Sequence, residues 1–229
     1  MIRYSLIIPA YNEEERISLV LEQMSEPSIE YILVCDGTDR TPDIVEEFSK
    51  IHPELDILCL RYGTRLGKGG GILFGIAASS SEEVGFMDAD GSTSIHQMID
   101  LFRALESHDG AIGSRWVPGA RIEIPQSLAR RIQSRVFNSL IRALFGLPYM
   151  DTQCGAKVFR KSALEPVLGK IRSRGFEFDV ELLWRLKKEG YGVVECPIVW
   201  KDTGHSRVKA SDTLRMFSGL LLVRIRGDA

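Results

Sequence analysis

The sequence predicts an α/β fold with a mostly parallel central sheet flanked by helices, and three observations predict it. The chain has 229 residues, 44% of them hydrophobic and 26% charged, a globular composition that excludes collagen, coiled coil and disorder. Short apolar or β-branched runs alternate through the first half with segments of helical period, as in successive βαβ units. Polar clusters follow those runs at Pro9 to Glu14, Asp36 to Asp39 and Asp88 to Asp90. In open α/β sheets that is where ligands bind, beyond the carboxyl ends of the strands.

Taken in order, Tyr4 to Ile8 reads as the first strand. Asn12 and Glu15 make a capping-box-like pair, after which Ile17, Val20, Leu21 and Met24 share one helix face. Glu30 to Cys35 is a second strand, and Pro42 then stands in the first turn of a helix, where proline is tolerated. Asp56 to Leu60 is a third. Gly69 to Ala78 reads as a helix despite its glycines, because Ile72, Leu73 and Ile76 keep the spacing, and Val84 to Met87 is a short buried strand. In the second half the pattern predicts a strand at Gly110 to Gly113 and a long helical stretch from Ile124 to Phe145 that carries Arg130, Arg131, Arg135 and Arg142. A helix over Asp179 to Lys188 and a strand over Tyr191 to Trp200 complete it. With no repeat or linker in view, the chain reads as a single domain, 1–229.

Charge and cysteine usage narrow the function. The 29 Lys and Arg against 31 Asp and Glu give a net charge of −2, no basis for a nucleic-acid-binding surface. Cys35, Cys59, Cys154 and Cys196 form no Cys-x-x-Cys pair, so free thiols in a reducing cytosol are expected rather than zinc or disulfides. The N-terminal residues carry no basic region followed by an apolar stretch, and no apolar run approaches the roughly 18 residues of a membrane span.

Asp88-Ala89-Asp90 closes a hydrophobic strand, so its two carboxylates can converge on one hard divalent cation that shares its site with phosphates. Solvated turn carboxylates are the plainer alternative. The run Gly63 to Gly71 invites a phosphate-loop reading with Lys68 adding charge, but it fails the P-loop spacing. A glycine-rich helix start packed closely on the sheet is the alternative. Pro9 to Glu14 and Asp36 to Asp39 should lie side by side, with side chains suited to a base or ribose and Tyr11 able to stack; helix capping by Asn12 and Asp39 is the alternative.

Pro9-Ala10-Tyr11-Asn12-Glu13-Glu14, Asp36-Gly37-Thr38-Asp39, Gly67-Lys68-Gly69, Asp88-Ala89-Asp90-Gly91 and Gly113-Ser114-Arg115 stand in an order that resembles glycosyltransferase family 2, of GT-A fold. Within it the chain looks like the polyprenyl-phosphate (dolichyl-phosphate) sugar synthases. Asp151 to Lys157, Phe176 to Leu182 and Gly204 to Arg207 add to this, and the likeness covers residues 3 to about 209. Met87 to Thr93, Phe178 to Glu181 and Trp200 look closer to the dolichyl-phosphate β-glucosyltransferase branch than to mannosyl synthases.

The resemblance implies a Rossmann-like nucleotide-diphospho-sugar transferase fold with a nucleotide-sugar-binding half (1–115), an acceptor-binding half (116–209) and a C-terminal helix, 210–229, lying on a membrane. It implies an inverting enzyme that moves a hexose, glucose favoured, from UDP-glucose or GDP-mannose to a polyprenyl phosphate, with Mg2+ or Mn2+. The metal would be held by Asp88 and Asp90, and the nucleotide by Pro9, Tyr11, Glu13, Asp36, Lys68, Asp88 and Ala89. Arg115 and Arg131 would meet the acceptor phosphate, making Asp88, Asp90, Arg115 and Arg131 the catalytic set. Gln153, Lys157, Ser206 and Arg207 would serve the acceptor and a closing loop. A polyprenyl monophosphate is already ionised at neutral pH, so a general base is unnecessary. The expected location is the cytosolic face of a membrane, as a peripheral protein. Three alternatives stand beside this: a GDP-mannose-dependent dolichyl-phosphate mannosyltransferase, a polysaccharide-forming transferase whose hydroxyl acceptor needs Asp151 or Asp179 as base, and a nucleotide-sugar-binding protein without turnover.

Overall fold

The computed structural model describes residues 2–124, 128–201 and 210–227. Strand β1 (Tyr4–Tyr11) leads through a single helical turn, α1 (Ser18–Leu21), to β2 (Ile29–Asp36), α2 (Thr41–Ile51) and β3 (Asp56–Tyr62). Helix α3 (Lys68–Ala78) crosses back to β4 (Glu83–Phe86), followed by α4 (Ile95–Arg103) and β5 (Gly110–Ser114). The second half holds β6 (Arg121–Ile124), α5 (Leu128–Phe145), β7 (Lys157–Arg160), α6 (Lys161–Leu168), α7 (Phe178–Lys188), β8 (Val193–Pro197), β9 (Val199–Lys201) and α8 (Ala210–Arg226).

Seven strands form one sheet in the order β3-β2-β1-β4-β7-β5-β8. Pairing is parallel except where β7 runs antiparallel to β4 and to β5. The winding goes outward from β1 through β2 to β3 and then returns to β4 on the other side of β1, so the strand order reverses between β1 and β4. Such a switch point opens a crevice at the strands' carboxyl ends. Pro9 to Tyr11 and Asp88 to Asp90 border it.

Alternation along the strands sends apolar side chains to both faces. Leu6, Ile8, Tyr31 and Leu33 join one core cluster with Val20, Val45, Met98 and Phe102, and Ile7, Ile32 and Val34 join the other with Ile72, Phe159, Leu182 and Leu220. Full burial of a side chain such as Phe86 contributes about 1.5–3 kcal/mol. The glycines of α3 are a packing device. A Cβ on Gly71 would stand 3.0 Å from Pro9 Cβ, and one on Gly69 would stand 2.6 Å from Phe178 Cβ, so the helix sits close on β1 and on α7 at once.

Several local expectations change. Asn12 is not a helix cap: it adopts φ +52°, and its Oδ1 accepts from the N–H groups of Thr38 (2.9 Å) and Asp39 (3.4 Å), tying the first two strand ends together. Helix α1 starts later, with Ile17 at its cap position and no side-chain cap. Ile124 belongs to β6, not to the long helix. The strand expected over Tyr191–Trp200 divides at buried Ile198, because β8 pairs with β5 while β9 pairs with β6 in a separate two-stranded sheet. Helix α4, whose buried Ile95, Met98, Leu101 and Phe102 keep helical spacing behind a Ser94 cap, was not anticipated, nor were β7 and α6.

Candidate active site

Strand β4 and Met87 are buried, which carries the chain to the crevice and fixes where Asp88 emerges. Asp88 Oδ1 lies 2.9 Å from Lys68 Nζ, which also lies 3.0 Å from Asp179 Oδ2; Asp179 Oδ1 in turn lies 2.6 Å from Lys157 Nζ. The four groups alternate in sign along one line. Burial alone would push the Lys68 ammonium down, but the Asp179 and Asp88 carboxylates outweigh it and hold it well above the ordinary lysine range. Lys68 was expected to serve a phosphate, and it is already committed to two carboxylates. Lys157, expected to serve the acceptor or a loop, is on β7 with a side chain 0% exposed; it pairs with Asp179 and donates to the Cys154 carbonyl, so it cannot reach a ligand.

Asp90 Oδ1 accepts the Ser92 N–H at 2.9 Å. Burial, then repulsion from Asp88, raises the Asp90 pKa, with the Ser92 N–H and the nearby charge of Arg16 opposing the rise. Two crowded, partly desolvated carboxylates are a donor set that a hard cation would relieve. Among the described residues no group of three His, Cys, Asp or Glu side chains can hold a metal. A Mg2+ or Mn2+ held by Asp88 and Asp90 would have to take its other ligands from water and phosphate.

The edge expected to face the nucleotide pairs as the sequence reading has it, with Tyr11 opposite Asp36 in the register of β1 and β2. Asp36 Oδ2 accepts the Leu66 N–H at 2.6 Å and so ties down the loop before α3; burial raises its pKa against that hydrogen bond. Gly67 in the same loop adopts φ +75°, and a Cβ there would stand 2.5 Å from the Arg174 carbonyl oxygen. The Arg65 guanidinium lies over the Tyr11 ring, 4.3 Å from its centroid. Glu13 is turned inward: its carboxylate receives Arg16 Nε at 2.8 Å and a second guanidinium nitrogen at 2.7 Å. Its side chain thus holds Arg16 near Asp90, where a base or ribose contact was expected. Pro9 and Ala89 flank the crevice, Ala89 buried.

On the other side, Arg115 is gripped by Asp151 rather than left free. Its backbone N–H, Nε and a terminal nitrogen all donate to the Asp151 carboxylate, at 3.1, 2.7 and 2.9 Å. The guanidinium lies near two indoles, 5.8 Å from the Trp116 centroid and 5.4 Å from that of Trp200, while Arg135 lies 5.1 Å over Trp116. Burial would raise the Asp151 pKa, but the Arg115 charge and hydrogen bonds bring it below the usual carboxylate value. Asp179, buried between two lysines, is lowered in the same manner. Gln153 meets α8, its amide nitrogen 3.3 Å from Met216 Sδ. The expectations for Ser206 and Arg207, and for the side chains of Arg130 and Arg131, lie outside the described residues.

Glu195, Asn138 and Trp116 escaped the sequence reading. Glu195 accepts the N–H groups of Met150 (2.7 Å) and Asp151 (2.9 Å), and Asn138 Oδ1 accepts both the Thr152 N–H (3.2 Å) and its hydroxyl (2.7 Å). A signal for Asn138 did exist: it stands three residues before buried Ile141 on the inner face of α5, where a polar side chain must have a partner.

Residues 5–168 match the model of the family "Glycosyl transferase family 2". The chain belongs to glycosyl transferase family 2. This family 2 chain is 30% identical over 221 residues to polyprenol monophosphomannose synthase of Mycolicibacterium smegmatis, covering 92% of the chain and 82% of that relative. It is 27% identical over 241 residues to dolichyl-phosphate beta-glucosyltransferase of Dictyostelium discoideum, covering 97% and 74%. Glycosyltransferase AglD of Haloferax volcanii is 28% identical over 232 residues, 96% of the chain but 36% of AglD, so the chain spans about a third of that relative. Among solved structures, glucosyl-3-phosphoglycerate synthase from Mycobacterium tuberculosis, with Mn2+, UDP-glucose and glycerol 3-phosphate, matches with TM-score 0.68 at 18% identity, over 97% of this chain and 79% of that one. S. aureus TarS 1–349 with UDP-GlcNAc matches with TM-score 0.62 at 18% identity, over 96% and 66%. The mostly parallel sheet is that of the GT-A glycosyltransferases.

Proposed function

We propose that this family 2 glycosyltransferase transfers a hexose, glucose in preference to mannose, from a nucleotide diphospho-sugar to a polyprenyl phosphate, with inversion and with Mg2+ or Mn2+. Support comes from relatives along nearly its whole length whose names pair dolichyl or polyprenyl phosphate with glucose or mannose. The observation that carries the acceptor class is the state of the two carboxylates a hydroxyl acceptor would draw on. Asp151 and Asp179 are both buried in ion pairs and both shifted below the ordinary carboxylate value. Such groups are weak bases. A phosphate monoester needs none, because it arrives ionised.

In this reading the donor half grips the nucleotide at Pro9, Tyr11, Asp36 and Ala89, with Asp36 holding the loop at Leu66 and Glu13 holding Arg16. A divalent cation held by Asp88 and Asp90 would stabilise the leaving diphosphate as a Lewis acid. Lys68 keeps the Asp88 carboxylate in place. The Arg115–Asp151 pair, beside Trp116 and Trp200, would shape the acceptor side, and Arg131 is the second cation proposed for the acceptor phosphate. Bringing two anions together is the main electrostatic task, and preorganised cations perform it. Direct displacement at the anomeric carbon inverts its configuration.

We place the chain at a membrane surface on its cytosolic face. No helix among the described residues is long and apolar enough to cross a membrane. Helix α8 instead exposes Leu222 (49%) and Ile225 (75%), which suits lying on a bilayer. The deciding experiment incubates the protein and Mn2+ with radiolabelled UDP-glucose, GDP-mannose and UDP-N-acetylglucosamine, with and without polyprenyl phosphate, and extracts lipid-linked product. Label in lipid from UDP-glucose is expected. Label from GDP-mannose alone moves the reading to the mannosyl alternative, and failure to label lipid from any donor overturns it.

A further inference from the structure

The alternating line Lys157, Asp179, Lys68, Asp88 joins three elements from distant parts of the chain to the end of β4. Its inner members are out of water: the side chains of Lys157, Asp179 and Lys68 are 0%, 3% and 10% exposed, against 37% for Asp88. Burying two ammoniums and a carboxylate is expensive, and a well-packed apolar set is often as stable or more so, so stability alone does not account for them. Lys68 is moreover the first residue of α3, where the positive end of the helix disfavours a cation. Asp179 lies in the first turn of α7, where an anion is favoured. Asp88, partly in solvent, is the weaker anchor, and the Lys68 ammonium is kept inward by Asp179. With Lys68 fixed, Asp88 Oδ1 has one place to go. Its Oδ2 fits because residue 155 is glycine: a Cβ there would overlap the carboxylate.

We propose that Asp179, resting on Lys157 and holding Lys68, is the positioning residue that fixes the Asp88 carboxylate for the donor site. The inference rests on the reading of Asp88 as a donor-site residue. It assigns Asp179 a part in orientation and none in proton transfer.

Charge arithmetic supplies the test. Asp179→Asn leaves two buried lysines facing Asp88 alone, whereas Lys157→Met/Asp179→Asn leaves Lys68 and Asp88 as one balanced pair. Mn2+ affinity is measured by electron paramagnetic resonance in the presence of UDP, donor KM and kcat by steady-state assay, and folding by thermal melting. Loss of an orienting partner typically weakens metal binding about 10- to 100-fold, and the same is expected of Asp179→Asn, with kcat/KM down about 100-fold. The double variant should recover at least about tenfold of both, as coupled neighbours do. Unchanged Mn2+ affinity in a folded Asp179→Asn protein overturns the proposal. So does a double variant no better than the single one, which would return Asp179 to a role of its own in the chemistry. If Asp179→Asn does not fold, Asp179→Glu decides, because it keeps the charge but displaces the carboxylate that holds Lys68: Mn2+ affinity weakened by more than about threefold in a folded protein is the supporting result, and affinity within about threefold of wild type, or failure of this variant to fold, overturns the proposal. Asp88→Asn is the reference: full turnover there overturns the donor-site reading itself, whereas loss of turnover there beside an intact Asp179→Asn overturns only this inference.

Discussion

Gly155 lies directly beneath Asp88, so close that a Cβ at residue 155 would overlap the carboxylate that Lys68 holds from the other side. Gly155→Ala therefore has one cheap way to relax, which is to push Asp88 out of its place. Relaxation of a partly exposed side chain costs little stability, about 1 kcal/mol. Misplacing a reacting-site group by about 1 Å costs about 100-fold in rate. The expected outcome is a melting temperature near wild type with metal-dependent turnover reduced by that factor. A fully active Gly155→Ala protein would show that the position of Asp88 does not matter.

Arg115 and Asp151 predict a different signature. Both side chains are buried, at 14% and 2% exposure, and three hydrogen bonds join them. Asp151→Asn leaves a buried guanidinium without its counter-charge, and breaking such a pair costs about 3–5 kcal/mol, read from urea denaturation at pH 7. The pH dependence follows from the direction of the shift. Because the folded-state pKa of Asp151 lies below its unfolded value, its contribution is complete above the ordinary carboxylate range near pH 4 and is lost as the pH falls through the folded value. The gap between wild type and Asp151→Asn should stay level from about pH 5 to 8 and close below about pH 4. A gap that widens in acid would contradict the assignment.

Periodicity made the first half legible because each of its early strands is apolar, short and ended by a polar cluster. Asp36, Asp88 and Asp90 could be named from their place after such strands, and in the fold Asp36 ends β2 while Asp88 and Asp90 follow β4. The second half was harder, because its candidate site comes from side chains that meet only in three dimensions. Arg115, Asp151 and Glu195 are on separate segments, and nothing in their local sequence says that the arginine is already paired. Lys157 looked like a ligand for the same reason: a lysine inside a polar motif gives no sign that its strand is central and its ammonium buried. The glycines of Gly67 to Gly71 had two readings, and contact with Pro9 and Phe178 favours packing.

Asp90 carries the metal prediction. Its carboxylate is raised by burial and by Asp88, a strain that a cation removes. Treatment with EDTA should abolish sugar transfer and added Mn2+ should restore it. Asp90→Asn, which keeps the Ser92 hydrogen bond through its carbonyl oxygen but loses the charge, should lower turnover by about 100- to 1000-fold, the scale of losing a main electrostatic stabiliser. Its melting temperature should hold or rise, because a desolvated charge is gone. Full turnover after exhaustive chelation would remove the metal from the mechanism.

Packing and membrane contact competed as explanations of α8, and the helix divides them between its faces. Leu220 and Val223 point inward at 0% and 9% exposure, the Phe217 ring meets that of Phe137 at 6.3 Å, and Arg224 Nε donates to the Leu144 carbonyl on α5 at 3.3 Å. Those contacts account for the inner face alone. Leu221, Leu222 and Ile225 remain exposed at 37%, 49% and 75%, on a helix whose sequence also includes Arg215 and Arg226, a composition that suits an anionic interface. Leu222→Asp/Ile225→Asp should therefore weaken co-sedimentation with phosphatidylserine-containing vesicles by about 30-fold, since each of the two added charges is repelled by about 1 kcal/mol at such a surface. Stability should stay within about 0.5 kcal/mol, as for other exposed sites. Turnover on a short water-soluble polyprenyl phosphate should be unaffected, and turnover on vesicle-borne acceptor should fall with binding. Vesicle binding that is unchanged in this variant would assign the outer face of α8 to something other than lipid.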